Sequence, residues 1–225
     1  MRRMFVILFV ALAFVAAVDV QGAQSWVEGK DFAILSPVQR TSVPAGKIEV
    51  MEVFSYGCIA CDSFQPTMDK LRRSLPANSQ VVLLPASFNA GEDWPMFQRA
   101  YLAARSLGVA EAAHQGIFDA VWKTGELAIS RRPQPTIQDA ARCYARIAKV
   151  SQQAFLQAAN SFGVSVQMNS ADAQIAAMQV PSTPCIVVNG KYRIDMGSVH
   201  SSDELIDLVK FLVNRESADH SVVHR

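Results

Sequence analysis

Little in this chain is in excess. Its 225 residues carry 21 basic and 20 acidic side chains, so no electrostatic argument points to nucleic acid as a partner. Basic residues cluster only as Arg2-Arg3, Arg72-Arg73 and Arg131-Arg132, and the last two pairs read as solvated surface. No internal repeat or low-complexity tract is present, which excludes a repeat array. Cysteine and histidine are scarce, four of each. Only Cys58 and Cys61 stand close together; Cys143 and Cys185 are isolated, and His114, His200, His220 and His224 show no ligand spacing. A structural zinc site wants four ligands, usually as two such pairs, so no metal is expected.

Half the residues are hydrophobic, enough for one large domain or one domain carrying an insertion. The longest apolar run lies at the start. Arg2-Arg3 precede Met4 to Val18, and the chain turns polar and small from Asp19 to Ala23. This reads as a secretory signal peptide over 1–23, with a mature start near Gln24. The alternative, an uncleaved anchor, wants about 20 apolar residues. Export matters because disulfides persist outside the cytosol, where a Cys-x-x-Cys pair can act as an oxidant or isomerase.

Along the rest of the chain, Asp31 to Ser36 suits a short edge strand. Ile48 to Phe54 is β-branched and aromatic enough for a buried one. From Cys58 to Leu75 the pattern is helical, with Pro66 expected to kink it. Gln80 to Pro85 reads as a strand covered on both faces. No strand signal follows until after Pro181. Instead there are helical patterns: one capped by Asp93, one over 110–123, one begun by Thr136 and Asp139, one from Ser151, and one from about Ser170 to Met178 after a stop at Gly163. Strands return with Cys185 to Val188, an Asn189-Gly190 turn and Lys191 to Asp195. Ser201 and Glu204 form a capping box for a closing amphipathic helix. The predicted fold is α/β, a β-α-β and a β-β-α part (24–87 and 179–216) separated by an all-helical insertion (88–178), with a frayed tail at 217–225.

Cys58-Ile59-Ala60-Cys61 sits where a strand hands over to a helix. A sulfur at a helix start faces free backbone N–H groups and the positive end of the dipole, and both favour thiolate over thiol. Cys58 is therefore the expected nucleophile, and Cys61, about one turn further in, the resolving partner. A structural disulfide is disfavoured, because so small a ring gains little loop entropy. Thr183-Pro184 directly precedes an apolar strand, where a cis bond would make a tight turn, with an ordinary loop proline the alternative. Glu52 places a carboxylate inside a buried-looking strand six residues before Cys58. Buried carboxylates have raised pKa values and can pass protons, here to or from Cys61. Glu49, by contrast, is expected to reach solvent.

Phe54-Ser55-Tyr56-Gly57-Cys58-Ile59-Ala60-Cys61, the Thr-Pro before Cys185, and Val188-Asn189-Gly190-Lys191-Tyr192 together resemble the DsbA family. These are periplasmic thiol–disulfide oxidoreductases with a thioredoxin fold interrupted by a helical domain, and the likeness spans about residues 24–215. It implies that Cys58 attacks and is attacked, that Cys61 resolves, and that Pro184 is cis with Thr183 beside the disulfide, positioning a bound peptide. Glu52 falls where the family has its buried acid. The resemblance also implies a monomer that takes electrons from folding exported proteins and is reoxidised by a membrane quinone reductase of the DsbB type. The redox-active disulfide is then the only prosthetic chemistry, with no separate cofactor.

Two features depart from the family. Ile59-Ala60 replaces the Pro-His of well-known members, whose histidine stabilises the thiolate. A less acidic Cys58 and a weaker oxidant follow, with room for isomerase or reductase activity. Cys143 and Cys185 are additional; two buried free thiols packing as small hydrophobes are expected rather than a bridge. Two other functions stand beside the main one. A glutathione-dependent isomerase or transferase on the same scaffold typically keeps a single serine or cysteine at the helix start. A chaperone-like peptide-binding protein would use an apolar patch around Tyr56 and Thr183.

Overall fold

The computed structural model describes residues 25–223, so the signal-peptide reading of 1–23 lies outside the described residues. Strand β1 (Phe32–Ile34) is followed by β2 (Ile48–Phe54), helix α1 (Ile59–Ser74) and β3 (Ser79–Pro85). After a 3₁₀ turn at Ala90–Glu92 come five helices: α2 (Trp94–Ser106), α3 (Ala110–Trp122), α4 (Ile137–Ala148), α5 (Gln152–Ala159) and α6 (Phe162–Ala177). The chain then returns to the sheet as β4 (Cys185–Val188) and β5 (Tyr192–Ile194) and closes with α7 (Ser202–Val223). The strand order is β1-β5-β4-β2-β3, with β2 and β3 parallel and every other pair antiparallel.

Strand β2 is buried along its whole length because β3 and β4 flank it and helices cover both faces. Side chains alternate across a strand. Ile48 and Val50 pack with Met68 and Leu71 of α1 and Leu208 and Leu212 of α7. Met51 and Val53 face the other way, against Ile175 and Met178 at the end of α6. A third cluster joins Phe97, Phe118, Tyr144 and Phe155 of the helical block to Phe54, Tyr56 and Cys61. Fully burying a large apolar side chain contributes roughly 1.5–3 kcal/mol, so this cluster is a strong seam between block and sheet. The Cys-x-x-Cys segment lies on it.

Several local expectations change. Strand β3 is an edge strand and only half-buried over most of its length, so its apolar composition does not reflect two covered faces. Helix α6 starts at Phe162, not near Ser170: Ser161 Oγ accepts the Val164 N–H, and Gly163 falls in the first turn. Glycine costs less there, where the N–H has no intrahelical partner. Asp93 holds the N-cap position of α2 with a left-handed backbone (φ 62°) and makes no side-chain cap. At the start of α7, Ser201 Oγ accepts the Glu204 N–H, and the Glu204 carboxylate accepts the His200 N–H.

Helix α7 continues to Val223, into the segment expected to be a frayed tail, whose last two residues lie outside the described residues. Glu216 explains part of this. It is buried, and its carboxylate accepts from Asn189 Nδ2 (2.6 Å), Lys191 Nζ (2.7 Å) and Tyr192 Oη (2.8 Å). The Asn-Gly-Lys-Tyr hairpin is therefore pinned to the last helix. Asn189 (φ 52°) and Gly190 (φ 60°) take the left-handed backbone that a tight two-residue hairpin requires. Glu49 is likewise buried rather than solvated, accepting from both the N–H and the hydroxyl of Ser42.

Candidate active site

Cys58 is the N-cap of α1, with extended backbone (φ −99°, ψ 109°). Its sulfur lies 3.3 Å from the Cys61 nitrogen, whose N–H in the first turn is shared with the Cys58 carbonyl at 3.0 Å. Both cysteines are free thiols in the structure. Opposite, Cys58 Sγ lies 3.5 Å from the Thr183 carbonyl oxygen, and the Thr183–Pro184 peptide is cis. The Thr183 hydroxyl is buried and has no hydrogen-bond partner. The structure thus brings Cys58, Cys61, Thr183 and Pro184 to one place.

The two thiols are driven apart in acidity. The hydrogen bond from the Cys61 thiol lowers Cys58 most; burial opposes this, and Thr183 and the Cys61 and Ala60 N–H groups add to the lowering, leaving Cys58 at about 6. Cys61 is fully enclosed. Burial pushes its thiol well above the ordinary range, and its role as donor to Cys58 and the charge there push it further. Ile59, 59% exposed, directs no polar group at Cys58.

Glu52 faces the same side of β2 as Val50 and Phe54, toward α1, and is fully buried with no hydrogen-bond partner for either oxygen. Its neighbour on β3 is Leu83, which supplies no counter-charge. Burial raises the carboxyl to about 8; Arg72 pulls it down, charge on Cys58 pushes it up, and Gln65, whose amide donates to the Cys61 carbonyl at 3.0 Å, opposes the rise. At neutral pH Glu52 is therefore mostly a neutral acid beneath the pair.

Other residues enter that the sequence did not single out. Trp94 covers Gly57 so closely that a Cβ there would lie 2.7 Å from Trp94 Nε1. With Phe88, 47% exposed and 6.1 Å away ring to ring, and Ile59, it forms an apolar rim beside Cys58. Tyr56 is not part of that surface. It is 1% exposed, turned inward with its hydroxyl 3.0 Å from His114 Nδ1. Cys143 and Cys185 are buried in different clusters, the first in the helical block and the second in the sheet core. Burial raises both thiols to about 11.

An acidic thiol at a helix N-terminus, with a second thiol one turn inward, is the arrangement of a thioredoxin-class thiol–disulfide oxidoreductase. The thioredoxin family model matches residues 43–208. The thiol:disulfide interchange protein DsbA of Pseudomonas aeruginosa is 34% identical over 218 residues, 97% of this chain and 98% of that one. The crystal structure of Pseudomonas aeruginosa DsbA is similar at a TM-score of 0.76 and 35% identity, covering 87% of this chain and 97% of that one. The DsbA of Xylella fastidiosa matches at 0.76 and 32%, covering 85% and 98%. The chain belongs to the DsbA family, a thioredoxin fold with an all-helical insertion, and is a thiol–disulfide oxidoreductase.

Proposed function

We propose that this chain introduces disulfides into exported proteins through Cys58 and Cys61. The observation that carries the reading is Cys58 at the α1 N-cap, its sulfur between the Cys61 N–H and the Thr183 carbonyl. In the oxidised protein a substrate thiolate attacks Cys58 Sγ. The Cys58–Cys61 bond breaks, and Cys61 leaves and takes up a proton, for which Glu52 is the donor beneath it. A second substrate thiolate attacks the substrate sulfur of the mixed disulfide and expels Cys58 as a thiolate. Two electrons pass to the pair, the substrate gains one disulfide, and its second proton goes to solvent. An acidic Cys58 is a good leaving group, which favours release of oxidised substrate.

The rim of Ile59, Phe88 and Trp94 and the Thr183 backbone suit an extended, unfolded segment. The apolar stretch before Gln24 supports export to the periplasm, and no helix among the described residues is long and apolar enough to cross a membrane. Reoxidation then falls to a membrane quinone reductase of the DsbB type, acting on a monomer. Replacing Cys61 with serine tests the reading. The variant's Cys58 thiolate should attack disulfide-bonded secreted proteins, expel one of their sulfurs as a thiolate and accumulate as mixed disulfides that no Cys61 resolves. Noncovalent capture alone would support a peptide holder, and a stable adduct with glutathione alone a glutathione-dependent enzyme.

The driving force is expected to be intermediate. Cys58 at about 6 lies between the extremes of about 3.5 for an archetypal DsbA and about 7 for thioredoxin. The reduction potential should accordingly fall between about −120 and −270 mV. Equilibration with glutathione measures it; a value at or above the upper limit contradicts a weaker oxidant.

A further inference from the structure

We infer that Trp122 and His114, both on α3, are positioning residues for the redox centre, through which the helical block holds the backbone that leads into Cys58. Tyr56, two residues before Cys58, has its carbonyl oxygen 2.9 Å from Trp122 Nε1, which donates to it. The next backbone polar atom, the Gly57 N–H, donates to Ser55 Oγ at 3.1 Å. The Tyr56–Gly57 peptide plane is thus held at both of its polar atoms. Trp94 excludes any side chain at position 57. Glycine is the residue least restrained in φ and ψ. The two hydrogen bonds supply the restraint that a Cβ would otherwise give.

The Tyr56 side chain adds a third hold. Its hydroxyl is hydrogen-bonded to His114 Nδ1 at 3.0 Å, and its ring packs edge-on to Phe54 and Phe118. Burial lowers His114 to about 3, so the imidazole stays neutral and its Nδ1 can accept. His114 and Trp122 lie about 12 Å apart along α3, so one helix grips Tyr56 by its side chain and its carbonyl.

The consequence reaches the sulfur. Its thiolate is stabilised by N–H groups that α1 holds fixed, and such bonds weaken steeply with distance and angle. Rotation of the 56–57 plane moves Cys58 relative to those donors. The inference rests on Cys58 being the attacking thiol.

Trp122→Phe in the full chain keeps a ring and removes the donor. Thiolate absorbance against pH should show the Cys58 midpoint rising by about half to one pH unit, and the equilibrium constant with glutathione falling about three- to tenfold. Tyr56→Phe should move both the same way by less, and carries the test if Trp122→Phe does not fold. Phe155→Leu, elsewhere in the block, should lower stability and move neither. A folded variant with the parental midpoint and constant overturns the positioning role while Cys58 still titrates. Exchange surviving in Cys58→Ser would instead overturn the assignment of the nucleophile.

Discussion

Cys58→Ser should abolish thiol–disulfide exchange, and the parent's reduced form should be alkylated with a midpoint near pH 6. At pH 7 a thiol with its pKa at about 6 is roughly 90% thiolate, whereas an ordinary one at about 8.5 is only about 3% thiolate. The rate should rise through pH 6 and stay flat across the neutral range, because Cys61 remains protonated there. Activity loss of less than about a hundredfold in Cys58→Ser would remove Cys58 from its role. A midpoint near pH 8.5 would remove the acidity on which the mechanism rests.

Stability should follow the same titration. Cys58 has a lower pKa folded than unfolded, so its contribution to the reduced protein is fully present above the unfolded value near 8.5 and is lost as pH falls through about 6. In the oxidised protein neither sulfur titrates. Glu52 acts with the opposite sign: raised to about 8, it favours the folded state at low pH and disfavours it as pH rises. Because it titrates in both redox forms, it largely cancels from their difference. Urea unfolding of the two forms at pH 5 and pH 8 should therefore show the reduced form gaining on the oxidised one at the higher pH.

Glu216→Ala should destabilise the fold by about 2–4 kcal/mol without touching the chemistry of the thiols. The substitution removes the acceptor that Lys191 Nζ and the hydroxyl of fully buried Tyr192 share. Breaking a buried pair costs about 3–5 kcal/mol, and the figure is discounted here because the Lys191 side chain is 28% exposed. In a chain of this size the loss amounts to roughly 5–15 °C in Tm. Glu216→Gln should lose less, keeping an acceptor without the charge. Burial alone would raise Glu216, but Lys191, Asn189 and Tyr192 together hold it below the ordinary carboxylate range. Its contribution is thus present above that range and disappears as pH falls through the folded value. A change under about 1 kcal/mol would mean the hairpin is held by packing alone.

What could be read in advance was local. Ile48–Phe54 was legible as a strand because β-branched and aromatic residues crowd into seven positions. The helix after Cys58 was legible by its periodicity, and the turn at Asn189-Gly190 by its chemistry. Glu52 was legible as a buried carboxylate from the apolar strand around it, but Glu49, in the same strand, was expected to reach solvent. Both are buried, but on opposite faces of β2, and only Glu49 finds hydrogen-bond donors, in the loop at Ser42. His114 and Trp122 left no trace, since Tyr56 is 58 and 66 residues away in the chain.

The sequence by itself determined that two thiols, two residues apart, stand at a strand-to-helix junction. That spacing places Cys61 one turn beyond Cys58 whatever surrounds them. Its place at the helix start already marks Cys58 as the more acidic thiol; only the tertiary structure decided how far. Acidity is set through space, by the Cys61 thiol and N–H on one side of Cys58, Thr183 on the other, and the enclosure of Cys61 under the helical block. Those neighbours come from β2, α1, the turn before β4 and α3, and they meet only when the sheet and its insertion close on one another.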